Sequence, residues 1–342
     1  MKKVVTFGEI LLRLSSPGYT KLFQKENLDA TFCGGEANVS VSLANYGVKT
    51  AFVTKLPDNE IGIAASRSLN YFGVDTSDII YGDGRMGLYY LEKGVSQRPS
   101  KIIYDRAYSA IALAKRYEFD WDKIFDGVDW FHWTGITPAL SEELVEICLD
   151  ACKFAKQNGI TISCDLNYRK KLWSSDKAKD VMTRMMPYVD VCIANEEDAD
   201  KILGIKAEKT DIKCGIINKE AYEVIAIKIC DEYDCKYVAF TFRKSYSASR
   251  NGWSGMLYCK EKEKAFYSNE YDIQIVDRVG GGDSFSGALI YSILTYSDNQ
   301  KCIDFATAAS CLKHSIEGDY NRIFVDDVES LLSNGGNGRV QR

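Results

Sequence analysis

Three consecutive glycines, Gly280, Gly281 and Gly282, stand directly before Asp283, and an apolar run of small residues with helical spacing follows them. Glycine lets the backbone bend so that successive N–H groups point one way. Where that bend feeds a helix N-terminus, the helix adds its partial positive charge to the same donors. The product is an anion hole, suited to a phosphate or to a developing oxyanion. A carboxylate at its lip, here Asp283, can take a proton from a hydroxyl while the hole holds a phosphoryl group. Taken alone, the stretch is equally compatible with a glycine-rich turn whose Asp283 caps a helix. A second stretch far upstream, Cys33-Gly34-Gly35-Glu36-Ala37-Asn38, has paired glycines that let a polar ligand approach the backbone. Asn38, near a helix start, can hydrogen-bond hydroxyls. Alone it reads as a loop-to-helix cap; with the later motif it reads as part of one site.

Composition removes several classes. The chain has a net charge of -5, which argues against nucleic acid as a main partner, because neutralising phosphates needs a basic surface. No run is long and apolar enough to span a membrane. The N-terminus lacks a signal-peptide core and reads as a first strand. Eleven cysteines without a Cys-x-x-Cys pair, and only two histidines, His132 and His314, make a zinc site improbable. Buried, reduced thiols in a cytoplasm are the simple account. The scarcity of histidine also weakens any mechanism with a histidine base.

The elements that must position these residues alternate. Strand-like runs at Val4–Glu9, Thr50–Lys55, Trp130–Trp133, Thr161–Asp165, Val189–Ala194 and Tyr237–Phe242 are interleaved with helical runs. The helical runs are Asn38–Tyr46, Ile61–Phe72, Glu142–Asn158, the segment after Gly282, and Ile303–Ser315. The alternation predicts an α/β fold, a mostly parallel sheet with helices on both faces. In such sheets ligands lie at the carboxyl ends of strands. Thr134, Asn167, Arg169 and Asn195 fall there. Residues 11–32 and 86–106 break the pattern. The first is polar and turn-rich, the second reads as a β-hairpin, and together they form a small β lid; edge strands of the main sheet are the alternative. The α/β domain then comprises 1–10, 33–85 and 107–330, and 331–342 is a disordered tail.

With both motifs in place the chain resembles the ribokinase-type, or PfkB-type, carbohydrate kinases over roughly residues 3 to 330. Their early Gly-Gly…Asn motif binds sugar. Their late Asp-x-x-Gly-x-Gly-Asp motif, here Asp277 to Asp283, holds the catalytic base. The resemblance implies that Asp283 deprotonates a sugar hydroxyl, that Gly280–Gly282 steady the transferring phosphoryl group, and that ATP and Mg²⁺ are the cofactors. The family's Asn-x-x-Glu acid motif appears as Asn195-Glu196-Glu197-Asp198, so Asp198 is expected to reach the metal through water. A dimer formed through the lids is the expected assembly, since exposed β edges favour pairing.

Substrate class turns on arginine. Tyr104-Asp105-Arg106 ends the lid hairpin, and Asp165-Leu166-Asn167-Tyr168-Arg169 follows a strand. Two guanidinium groups converging on one pocket suit a carboxylate. The pattern is similar to 2-keto-3-deoxygluconate kinases. By that resemblance Gly34, Gly35, Asn38, Tyr89, Tyr104, Arg106, Arg169 and Asp319 line a sugar-acid site. Asn167, Asn195, Thr241, Ser245, Gly252, Gly280 and Gly282 are the expected nucleotide contacts. A neutral-sugar kinase of fructose or ribose type, and a non-catalytic sugar-binding regulator, are the alternatives. Three departures stand out: Cys33 replaces a glycine of the sugar motif, Gly281 stands where alanine is usual, and residues 241–253 read as a long, glycine-poor loop where the family has a compact turn.

Overall fold

The computed structural model describes residues 2–195, 197–205 and 218–335. Its centre is a nine-stranded sheet. Six strands run parallel, in the order Tyr237–Ser245, Val191–Ala194, Thr161–Asp165, Trp130–Thr134, Lys3–Phe7 and Lys49–Val53. Arg250–Cys259 and then Lys264–Tyr267 extend it antiparallel beyond Tyr237–Ser245, and Tyr271–Gln274 also pairs with Arg250–Cys259. The parallel strands are continuous apolar runs because both faces are covered. Successive side chains alternate between two cores. Val4 and Trp130 join one, with helices Gly35–Asn45, Gly281–Thr295 and Asn299–Lys313. Val5, Phe7, Phe131 and Trp133 join the other, with Glu142–Gln157, Ser175–Met185 and Lys219–Tyr233.

A separate four-stranded sheet carries the lid, in the order Asp29–Cys33, Leu11–Ser15, Gly87–Glu92, Lys101–Asp105. It takes no place at the edge of the main sheet. The expected tail from 331 is corrected at its start: the helix Val325–Asn334 packs Leu331 and Leu332 against the core, and an αL Gly335 ends it. The remainder of that tail, 336–342, lies outside the described residues, as does Glu196 of the acid motif.

The stretch 241–253 is also corrected. It is no loop but a β-hairpin, with Arg243 opposite Trp253 and Ser245 opposite Asn251. Phe242 is buried in the core while Thr241 and Arg243 point the other way, which is strand periodicity. The tip reaches the lid, where the Ala248 N–H donates to the Ser96 carbonyl at 2.8 Å and the Ser96 N–H to Ser249 Oγ at 2.9 Å.

One close approach positions the site. A Cβ on Gly287 would fall 2.7 Å from the Cβ of Ser42. Helices Gly281–Thr295 and Gly35–Asn45 therefore touch nearly backbone to backbone. One turn toward each N-terminus from this contact lie Asp283 and Asn38. Gly287→Val should cost ~1–3 kcal/mol in denaturant unfolding, the usual penalty for overpacking, while a wild-type midpoint would show the helices free to separate.

Candidate active site

Both motif glycine runs end on a helix N-terminus. Gly280 is the N-cap of Gly281–Thr295, with φ 81°, a left-handed conformation that favours glycine. Space demands glycine there as well, since a Cβ would lie 2.1 Å from the Asp319 carbonyl oxygen. A Cβ on Gly281 would strike the His314 ring at 2.5 Å, whereas one on Gly282 would meet no protein atom within 4 Å. Gly282 is therefore open toward the cleft. N–H groups in a first helical turn have no intrahelical acceptor.

Asp283, in the same turn, accepts a 2.6 Å hydrogen bond from Asn38 Nδ2. Two chambers meet at this carboxylate. The larger, ≈ 500 Å³, is lined by Gly280, Gly281, Gly282 and Asp283 together with Asn167, Arg169, Asn195, Asp198, Thr241, Arg243 and Arg278. The smaller, ≈ 80 Å³, is lined by Gly34, Gly35, Asn38, Tyr89, Tyr104, Arg106, Arg169, Asp283 and Asp319. A group in one chamber can thus reach a group in the other across Asp283.

The model of the pfkB family carbohydrate kinases matches residues 1–323. This chain belongs to that family. The kinase is 52% identical to the 2-dehydro-3-deoxygluconokinase of Thermotoga maritima, whose crystal structure superposes with a TM-score of 0.93 over 97% of this chain and 100% of that one. A PfkB family carbohydrate kinase from Listeria grayi is 36% identical, with a TM-score of 0.89 over 97% of this chain and 100% of that one. The 2-dehydro-3-deoxygalactonokinase of Haloferax volcanii is 31% identical over 336 residues, 98% of each chain.

Within the kinase's small chamber several expected ligand contacts already hold protein partners. Asp319 accepts from the Tyr89 hydroxyl at 2.7 Å and from Arg13 Nη1. Arg13, 2% exposed, also donates to Asp277 Oδ2 at 2.6 Å. Burial alone would depress the Arg13 guanidinium, but the Asp319 and Asp277 carboxylates outweigh it and hold the charge. Arg106 donates Nε to Glu9 Oε2 at 2.7 Å, and Ser109 Oγ donates to the other Glu9 oxygen at 2.6 Å. The Arg106 charge is therefore already matched by Glu9. Arg169 donates to the carbonyl of Tyr168 at 3.1 Å and faces both chambers.

In the large chamber Asn167 adopts φ 44° at the end of the Thr161–Asp165 strand, a backbone strain concentrated at functional sites. Asp198 is buried, and its two oxygens accept from the Tyr168 N–H at 3.0 Å and the Asn195 N–H at 3.1 Å. It thereby joins the ends of two strands. Of the expected nucleotide contacts, Asn167, Asn195, Thr241, Gly280 and Gly282 line this chamber, but Ser245 and Gly252 do not. Ser245 lies further out toward the hairpin tip. Gly252 has the opposite strand parity to Thr241 and Arg243, and packs against Glu270 and Tyr246.

Sequence reasoning missed three charged residues of this chamber. Asp165 has its carboxyl pushed well up by burial, then by Asp198 and Asp283. Arg243 and Arg278 face the same space, and burial and the Arg243 charge lower the Arg278 guanidinium. Alternation along Tyr237–Ser245 was the available signal for Arg243. The two histidines are neutral structural groups: burial pushes His132 down to about 3 and His314 to about 4.

Burial raises Asp283 from 3.8 to about 7, against the Asn38 hydrogen bond, with Asp319 and Glu36 adding to the rise. The folded state then binds a proton that the unfolded state releases, so stability falls as pH rises between 3.8 and about 7. Asp283→Asn should melt higher than the wild type above neutral pH, and the gap should close on acidification. A calorimetric series that shows no pH-dependent gap would place the carboxyl in an ordinary aqueous setting.

Proposed function

We propose that this kinase transfers the γ-phosphoryl group of ATP to the terminal hydroxyl of 2-keto-3-deoxygluconate. The observation that supports it most is the meeting of the two chambers at Asp283. The sugar acid occupies the small chamber, with Asn38 holding a hydroxyl and the Asp283 carboxylate beside the one that reacts. Arg169 grips the substrate carboxylate with parallel hydrogen bonds, because Arg106 is engaged with Glu9. Tyr104, which stacks under the Arg106 guanidinium at 5.3 Å, closes the lid side.

The triphosphate lies in the large chamber. Arg243 and Arg278, each facing the other's charge, are neutralised by it, as Asn195 and Thr241 position it. The amides of Gly280–Gly282 receive the transferred group, and Asp283 takes the hydroxyl proton as the oxygen attacks. A base near 7 suits that task, since enough is ionised at neutral pH while the proton is still held once taken.

The chamber's acids fit Mg²⁺. Burial pushes Asp165 well above ordinary carboxylates and also raises Asp198, and a divalent ion would relieve that cost. Among the described residues no three acidic, histidine or cysteine side chains converge to hold an ion directly, which suits a cation that keeps its waters and binds mostly phosphate oxygens. When bound, Mg²⁺ neutralises the phosphates; Asp198 and Asp165 hold its waters.

The test is a coupled assay on 2-keto-3-deoxygluconate, its galactonate epimer, fructose and ribose. The epimer is included because of the Haloferax volcanii relative. Turnover of the keto-deoxy acids far above the neutral sugars is expected; a preference for fructose or ribose, or no turnover, would overturn the substrate. Asp283→Asn should cut kcat by ~10²–10⁴-fold with substrate binding retained. Arg169→Ala should raise KM for the acid ~10–100-fold, the scale of losing charge-assisted hydrogen bonds, and leave neutral sugars unaffected. In the wild type kcat/KM should drop below about pH 7 as Asp283 takes up its proton. Asn38→Ala should move that limb upward, because the lost hydrogen bond favours the charged form.

A further inference from the structure

Lys313, the last residue of the helix Asn299–Lys313, is completely buried. Its ammonium donates to the carbonyl of Gly318 at 2.7 Å, to that of Asp277 at 3.3 Å, and to that of Val279. An ammonium has three donors, and all three are spent on main-chain oxygens. The nearby carboxylates do not take them: Asp277 and Asp319 turn their side chains to Arg13. Burying a charge carries a desolvation cost, which these three hydrogen bonds offset. Burial lowers the Lys313 amine, and Asp277, Asp319 and Asp283 offset only part of that.

The three carbonyls belong to the two segments that shape the glycine turn. Asp277 and Val279 lead into it. Gly318 precedes Asp319, against whose carbonyl Gly280 packs. The peptide unit between Val279 and Gly280 is planar and trans, so its N–H points opposite to its C=O. Drawing the Val279 carbonyl inward to Lys313 therefore turns the Gly280 N–H outward.

We propose that Lys313 is a positioning residue for phosphoryl transfer, an internal cation that gathers these three carbonyls so that the amides of the Gly280–Gly282 turn face the transferred phosphate. Its charge also stands behind those amides, where it favours the anion that arrives in front. The proposal rests on the reading that this turn receives the phosphoryl group.

Lys313→Met keeps the stem and removes the charge. Its kcat should fall by ~10²–10³-fold, the effect of disturbing preorganised donors, with KM for the sugar acid unchanged. In Lys313→Ala, which clears the stem so that a small cation fits among the three carbonyls, ammonium or methylammonium chloride should restore a large part of the same loss. The wild type should not respond, and sodium chloride at equal ionic strength should restore nothing. Unchanged kcat in the variant, or a loss that ammonium does not repair, would overturn the proposal. Thermal unfolding of Lys313→Ala gives a second readout: ammonium should raise its melting temperature above the value in sodium, and equal values would count against the cage. If the wild type fails to phosphorylate any sugar, the functional reading falls, and the ammonium-specific thermal shift still tests the carbonyl cage.

Discussion

The 2.6 Å hydrogen bond from Asn38 to Asp283 spans 245 residues of sequence, and the site depends on it. It exists because two helices approach closer than side chains normally allow, over Gly287 and Ser42. Each helix begins at a glycine pair or triplet, and Gly282 in the second carries no protein atom over its Cβ position. Packing the two together brings Asn38 and the Gly280–Gly282 turn into one cleft. The parallel sheet supplies the platform, since the ends of the Trp130–Thr134, Thr161–Asp165 and Val191–Ala194 strands open on the same side. Glu36 locks that platform: it accepts from Thr134 N, Thr134 Oγ1 and Thr137 Oγ1, and a Cβ on Gly8 would lie 2.2 Å from its carboxyl.

Charge is organised around the cleft in two ways. Arg13 and Lys313 bind protein groups and fix shape. Arg169, Arg243 and Arg278 face the open chambers. Opposite them Glu36, Asp165, Asp198 and Asp283 all titrate above ordinary carboxylates, chiefly through burial. Arginines and buried acids thus face each other across one cleft, a pattern suited to a phosphate with its cation, which supplies negative charge to the first and positive charge to the second.

Much of this was legible in the sequence because it is local. The Gly280–Asp283 run, the Gly34–Asn38 run and the α/β alternation each need only a few neighbouring residues to be read. What escaped was non-local. Lys313 looks like an ordinary basic residue at a helix C-terminus, and only the fold shows its three carbonyls. Arg13 sits in a stretch that reads as polar and turn-rich; its partners Asp277 and Asp319 lie at the far end of the chain. Spacing alone points Arg106 at substrate, because it does not show the matching Glu9. The run 241–253 reads as a loop because its Ser, Arg and Lys content masks the buried Phe242 and Trp253 of the paired strands.

That hairpin also explains why the lid and the phosphate turn form a single mechanical unit. Its tip bonds to Ser96 in the lid, and Arg278 donates to the Ala248 carbonyl at 3.0 Å. From the other side Arg13, on the lid strand Leu11–Ser15, grips Asp277 at the entrance to the glycine turn, and Tyr89, on Gly87–Glu92, grips Asp319 behind it. The lid is therefore bonded to both flanks of the turn that carries the anion hole. A lid displacement would pull on buried, charge-assisted contacts, which are the ones most expensive to leave unpaired. Tyr89 lines the small chamber and bonds Asp319, so the wall of that chamber and the geometry of the Gly280–Gly282 turn are linked through Asp277 and Asp319.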